Sequence, residues 1–182
     1  AKACGRNTYR FHDPAVQAAW SARAELENGL RRALRDGEFV LPTQPRLDRP
    51  SRVIGAGALL RWRLPSGKLI YPAEFIESAE ESGLIIEIGR WVLQTACAEL
   101  ARWQRWPDTA GLTLSVNVSA SQFTEPDFVS MLQQIFEETG VQPSGLKLEL
   151  TESLVVSDFT HTAHTMSTLK QRGISFSLDD FG

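Results

Sequence analysis

Glu149 and Asp179 are carboxylates, Asn117 is a carboxamide, and Asp180 puts a second acid directly after Asp179. Brought together, they form a hard oxygen-ligand set suited to Mg²⁺ or Mn²⁺ rather than to zinc. The same residues have a structural alternative, because Asp, Asn and Glu at strand ends also cap helices and bond neighbouring strands. Metal binding requires that the chain carry all four to one place. Other metal-ligating types are poorly arranged. His161 and His164 stand three apart on a polar helical stretch with no third ligand in view, and read as a solvated face. Cys4 and Cys97 have neither the count of a disulfide framework nor the spacing of a zinc site, and read as small buried hydrophobes in a reducing compartment.

Turn and cap signals mark the elements that must position these donors. Asp13 followed by Pro14 opens a helix over 14–36, on which Val16, Ala19, Trp20, Leu26, Leu30, Ala33 and Leu34 recur at helical spacing before Gly37 ends it. A strand from Glu38 to Gln44 is closed by Pro42 and Pro45, and a second runs from Arg52 to Trp62 into the turn Pro65-Ser66-Gly67-Lys68. Pro72 opens a short helix to Glu80, and Gly83 separates it from a longer one, Ile85 to Trp106. A third strand covers Leu112 to Ser119; Thr124 caps the helix that Gly140 ends. A fourth strand, Leu146 to Thr151, a helix over 157–172 and a fifth strand, Ile174 to Leu178, complete the order. Helices between successive strands predict parallel crossovers.

Strands alternate their side chains between two faces, so parity assigns each polar residue to a side. Leu112, Leu114, Val116 and Val118 oppose Thr113, Ser115, Asn117 and Ser119. Leu146, Leu148 and Leu150 oppose Lys147, Glu149 and Thr151, and Ile174, Phe176 and Leu178 oppose Ser175, Ser177 and Asp179. An open doubly wound sheet is apolar on both faces, whereas a barrel carries helices outside and can hold polar groups within. The pattern predicts an α/β fold, a (β/α) TIM-type barrel, with an antiparallel sheet wet on one face as the alternative. Asn117, Glu149 and Asp179 fall near the C-terminal strand ends, where such barrels place their active sites.

Composition narrows the function classes. The 182 residues carry 19 Lys and Arg against 22 Asp and Glu, a net charge of −3, with 42% hydrophobic residues. That is a globular balance, with no basic stripe for a nucleic-acid polymer. No apolar run is long enough to span a membrane, and the segment AKACGRNTYRF has no apolar signal core, which places the chain in the cytoplasm. A small anionic ligand fits this balance.

Several ordered segments resemble motifs of the EAL domain, the cyclic di-GMP phosphodiesterase family: Val116-Asn117-Val118-Ser119, Leu148-Glu149-Leu150-Thr151-Glu152-Ser153 and Asp179-Asp180-Phe181-Gly182. Upstream, Gln44-Pro45, Ala58-Leu59-Leu60-Arg61-Trp62, Pro72-Ala73-Glu74-Phe75-Ile76 and Gly89-Arg90-Trp91-Val92-Leu93 match in order, so the resemblance runs from about residue 25 to the end. Ala1-Lys2 and Gly5-Arg6-Asn7 resemble the end of a GGDEF diguanylate cyclase domain, giving a division into a GGDEF-like tail and linker over 1–13 and a partial EAL domain over 14–182.

The resemblance implies a barrel that binds two divalent cations, Mg²⁺ or Mn²⁺, and hydrolyses cyclic di-GMP to pGpG. By the same transfer Asn117, Glu149, Asp179 and Asp180 bind metal, with Glu149 and the two aspartates catalytic. Arg61 contacts a ligand phosphate, Gln44 lines the nucleotide pocket, and Glu152 anchors the loop after Asp179. The implied partners are cyclic di-GMP, an upstream GGDEF domain in the parent protein and a second copy of the domain. A membrane tether, if the parent has one, is expected upstream.

Two departures and a smaller oddity, at Thr43, qualify the transfer. The family's Glu-Ala-Leu appears here as Gly57-Ala58-Leu59, which removes one anionic ligand at a position whose parity matches Arg61. Thr43 also stands where the family usually has an aromatic. The chain ends after the fifth of eight expected strands, without the family's lysine on strand six, and reads as a fragment. The expectation is an EAL module of cyclic di-GMP signalling, weak or inactive in hydrolysis. The alternatives are a receptor or protein-interaction module without catalysis, an active enzyme, and an inert barrel piece.

Overall fold

Alternation of Leu114, Val116 and Val118 with Ser115 and Asn117 makes a strand with an apolar and a polar side. In the computed structural model, which describes residues 14–48, 52–151 and 159–179, that strand lies at the centre of a five-stranded sheet. In chain order the elements are α1 (Pro14–Asp36), β1 (Phe39–Val40), β2 (Thr43–Asp48), β3 (Arg52–Ala58), β4 (Arg61–Arg63) and β5 (Leu69–Ile70). There follow α2 (Ile76–Glu81), α3 (Leu84–Trp103), β6 (Thr113–Val118), α4 (Ala120–Phe123) and α5 (Phe128–Thr139). The last three are β7 (Leu146–Thr151), α6 (Phe159–Gln171) and β8 (Ser175–Asp179). Short 3-10 turns at Pro72–Glu74 and Pro143–Gly145 lead into α2 and β7.

The sheet order is β2-β3-β6-β7-β8, parallel throughout except for β2, which runs antiparallel to β3. This is the strand order of a TIM-type barrel, and it decides against the antiparallel alternative. Register keeps the faces sorted: Leu114 pairs with Leu146, Val116 with Leu148 and Val118 with Leu150, while Asn117 pairs with Glu149 and Glu149 with Ser177. The apolar face packs on α3 and α5, burying Ile88, Val92, Leu93 and Leu100 with Phe128, Leu132 and Ile135. Each large side chain so buried contributes about 2 kcal/mol to the driving force.

A second sheet, β1-β4-β5, closes one end. Phe39 pairs with Trp62, and the two rings join Phe75 and Trp91 in a cluster with centroids 5.9–6.4 Å apart. Trp62 Nε1 donates to Glu38 Oε2 at 2.8 Å. On α1, a Cβ at Gly29 would stand 2.7 Å from the Trp62 ring, so glycine there lets the indole press onto the helix.

Several expected elements are subdivided. The strand expected from Glu38 to Gln44 is two strands of different sheets, and Pro45 lies inside β2 rather than closing it, which an edge strand tolerates. The strand expected from Arg52 to Trp62 stops at Ala58; Arg61 belongs to β4, so its parity with Gly57 along one strand does not exist. Thr124 caps no helix start: its Oγ1 donates back to Ala120 O at 2.9 Å, and Ser119 caps α4 while Asp127 precedes α5. Residues 1–13, with Cys4 and the GGDEF-like tail, lie outside the described residues. No helix among the described residues is long and apolar enough to cross a membrane.

Candidate functional site

The polar side of the sheet brings Asn117 and Glu149 side by side near the C-terminal ends of β6 and β7. Asn117 on β6 is exposed and its Cα partner is Glu149 on β7, whose side chain is 12% exposed. Asp179 ends β8 opposite Thr151. Its side chain, with Asp180 and Glu152, lies outside the described residues.

Asn117 and Glu149 border a cleft of about 560 Å³ together with Arg61, Ser119 and Gln122, and Pro72, Ile76, Ile88 and Val92 form an apolar wall. Polar groups converging on an apolar hollow are the usual form of a small-ligand site. A second cleft, about 590 Å³, lies on the helix side between Leu41, Pro42 and Trp91 and lacks these donors. Arg61 reaches the first cleft from β4. Its Nη1 donates to Leu60 O at 2.7 Å and its guanidinium carbon stands 4.7 Å from the centre of the Tyr71 ring, which orients the fork. Gln44 on β2 lies opposite Gly57 on β3 and is exposed, outside the wall of the cleft.

The end of β6 is fixed by a reciprocal cap. Gln122 N donates to Ser119 Oγ at 3.3 Å, and Ser119 N donates to Gln122 Oε1 at 3.0 Å. Gln122 is buried against Gly89 of α3, where any Cβ would collide with the amide. Two motif residues, Ser119 and Gly89, thus serve to hold the strand end that carries Asn117.

Gly57 is bare. No atom stands within 4 Å of the Cβ a side chain there would have, and its sheet neighbours are Gln44 and Ser115. Arg46, two residues beyond Gln44, was not singled out by sequence reasoning. Its Nη1 donates to Ser115 Oγ at 2.6 Å and to Glu149 Oε1, with Ser177 Oγ adding a longer bond to the same carboxylate oxygen at 3.5 Å. The available signal was strand alternation, which places Arg46 on the face of Gln44.

Divalent cations of the Mg²⁺ type are held by ligand charge and number. Gly57 supplies neither, and Glu149, the carboxylate that reaches the cleft from the sheet, is already ion-paired with a guanidinium. Among the described residues no three His, Cys, Asp or Glu side chains come together as a ligand set. The described donors Asn117 and Glu149 fall short of a full ligand set by themselves; the Asp179 side chain and Asp180, the other expected ligands, lie outside the described residues. His161 and His164 lie on α6.

A family model described as the EAL domain matches residues 27–182. The Pseudomonas aeruginosa protein MucR, named a bifunctional diguanylate cyclase and cyclic di-GMP phosphodiesterase, is 37% identical over the whole chain, which covers 27% of MucR. The structure of a MucR phosphodiesterase in complex with c-di-GMP superposes with a TM-score of 0.81 at 37% identity, over 87% of this chain and 64% of that one. The Xanthomonas citri FimX EAL domain with c-diGMP gives 0.77 at 26% identity, over 89% and 62%. The chain spans about a quarter of the curated relatives it matches.

Proposed function

The chain belongs to the EAL domain family, and on that premise we propose that it is a receptor module of cyclic di-GMP signalling that binds the dinucleotide and hydrolyses it weakly or not at all. One observation carries this reading: Arg61, Asn117 and Glu149 border a single cleft while Gly57, on the strand beside Asn117, presents no side chain. Arg61 offers a planar fork matched to phosphate oxygens, and the apolar wall suits the flat face of a base. This reading assigns Gln44, exposed on β2 opposite Gly57 and outside the cleft wall, to a second base. The c-di-GMP complexes of MucR and FimX support the ligand.

Metal-assisted hydrolysis needs cations that generate a nucleophile and hold charge at the phosphodiester. A donor set short of one carboxylate, with Glu149 paired to Arg46, argues against turnover by this chain. An upstream cyclase domain in the parent protein accords with the bifunctional name of MucR.

The test is calorimetric titration of cyclic di-GMP into the full chain, with pGpG followed by chromatography in Mg²⁺ and in Mn²⁺. Binding without product is the expected result. Product at the rate of an intact family member overturns the receptor reading in favour of an enzyme, and no binding overturns it in favour of a protein-interaction module.

A further inference from the structure

The residue that answers Glu149 is basic and comes from the other side of a bare strand. Arg46 sits on β2 opposite Gly55, and Gln44 opposite Gly57, so β3 presents glycine at both positions of this row. A side chain at either would stand between β2 and β6. From β2 the arginine crosses β3 and reaches Ser115 on β6 and Glu149 on β7. Both contacts use Nη1, which leaves the donors of Nε and Nη2 uncommitted among the described residues, and 47% of the side chain is exposed. Lys147 shares this face, two residues before Glu149, so Arg46 and Lys147 stand on it with Glu149 and, at the end of β8, Asp179.

We propose that Arg46 is the resident cation of the mouth: its guanidinium holds Glu149 and receives a phosphodiester oxygen of the ligand, which makes ligand binding independent of metal. The inference rests on the dinucleotide-receptor reading above and adds the residue that takes the place of the ion. Charge and geometry both follow from it. An unpaired Glu149 would repel a phosphodiester; paired with a guanidinium, it instead anchors a donor that a phosphate can share. A carboxylate added at position 57 would be taken up by Arg46 rather than freed for a cation.

The experiment titrates two probes, Mn²⁺ alone and cyclic di-GMP with and without EDTA, into the full chain and its variants. The wild-type chain is expected to give no Mn²⁺ binding and an affinity for the dinucleotide that EDTA leaves unchanged. Arg46→Met lowers dinucleotide affinity by about tenfold or more, the effect of losing a charge-assisted bond. Arg46→Lys, which keeps the charge, loses less and still excludes Mn²⁺. Gly57→Glu alone gains little Mn²⁺ affinity, and Gly57→Glu combined with Arg46→Met gains it clearly. Mn²⁺ binding by the wild type with EDTA-sensitive dinucleotide binding overturns the proposal, as does a gain in Gly57→Glu equal to that of the double variant. A chain that binds no dinucleotide in either buffer defeats the receptor reading, and the Mn²⁺ series then judges Arg46 by itself.

Discussion

The Nε2 of Gln122 stands 1.3 Å from the point a Cβ at position 89 would occupy, so Gly89 of α3 and the glutamine that caps α4 share one volume. In helix propensity alone, Gly89→Ala would stabilise by about 1 kcal/mol. Here the added methyl displaces Gln122 and breaks its bond with Ser119 N, so the net change is a loss of about 2 kcal/mol. Thermal melting should show Tm falling by roughly 4–8 °C. Gln122→Ala in the Gly89→Ala background should lose less than the two single changes added together, a coupling measurable by a double-mutant cycle.

Arg61 and Tyr71 make a second coupled pair. The ring lies 4.7 Å from the guanidinium carbon and half of it is exposed, a contact worth about 0.5–1 kcal/mol. Tyr71→Ala should weaken cyclic di-GMP binding by about two- to fivefold through loss of the orientation of Arg61, and Tyr71→Phe should restore it. Arg61→Ala should cost tenfold or more, and adding Tyr71→Ala to it should change nothing further. Equal losses for Tyr71→Phe and Tyr71→Ala would refute the stacking role.

Gly55 and Gly57 are two residues apart on β3 and should respond in opposite ways. A Cβ at Gly55 would lie 2.3 Å from the Thr113 carbonyl oxygen, a backbone atom that cannot swing aside, whereas at Gly57 nothing stands within 4 Å. Gly55→Ala should destabilise by about 2–3 kcal/mol. Gly57→Ala should stay within about 0.5 kcal/mol of the wild type or stabilise slightly, because the unfolded chain loses freedom. Urea denaturation of the two variants measures both.

Burial pushes the Cys97 thiol up to about 12, from an ordinary value of 9.0. The unfolded chain then releases this proton in a pH range where the folded chain retains it. The contribution is fully present below pH 9.0 and is lost as pH rises towards about 12, at up to about 1.4 kcal/mol per pH unit. The stability of Cys97→Ala should fall less steeply across that window. In a Cys4→Ser background, a thiol reagent at pH 8 should label nothing until denaturant is added.

Much of the site was legible because it rests on strand parity, a local rule. Alternation in β6, β7 and β8 assigned Asn117, Glu149 and Asp179 to one face, and the register, which alternation leaves open, brings Asn117 beside Glu149. The break after Ala58 was not legible. It occurs because Trp62 pairs with Phe39 in a separate sheet and presses on Gly29, contacts between residues far apart in the chain. Thr124 misled for a related reason: a hydroxyl beside a helix can serve either end, and here it bonds back to Ala120.

The sequence by itself determined the alternation of strands and helices, which side chains share a face of each strand, and the absence of a carboxylate at Gly57. Periodicity and residue type are properties of the chain, and no neighbour is needed to read them. Only the tertiary structure decided that Arg46 crosses two glycines to Ser115 and Glu149, that Arg61 arrives on a different sheet, and that Gly55 is crowded while Gly57 is open. Those outcomes depend on how far apart the strands lie and which backbone atoms meet, distances fixed by packing against α1, α3 and the neighbouring strands rather than by any local pattern.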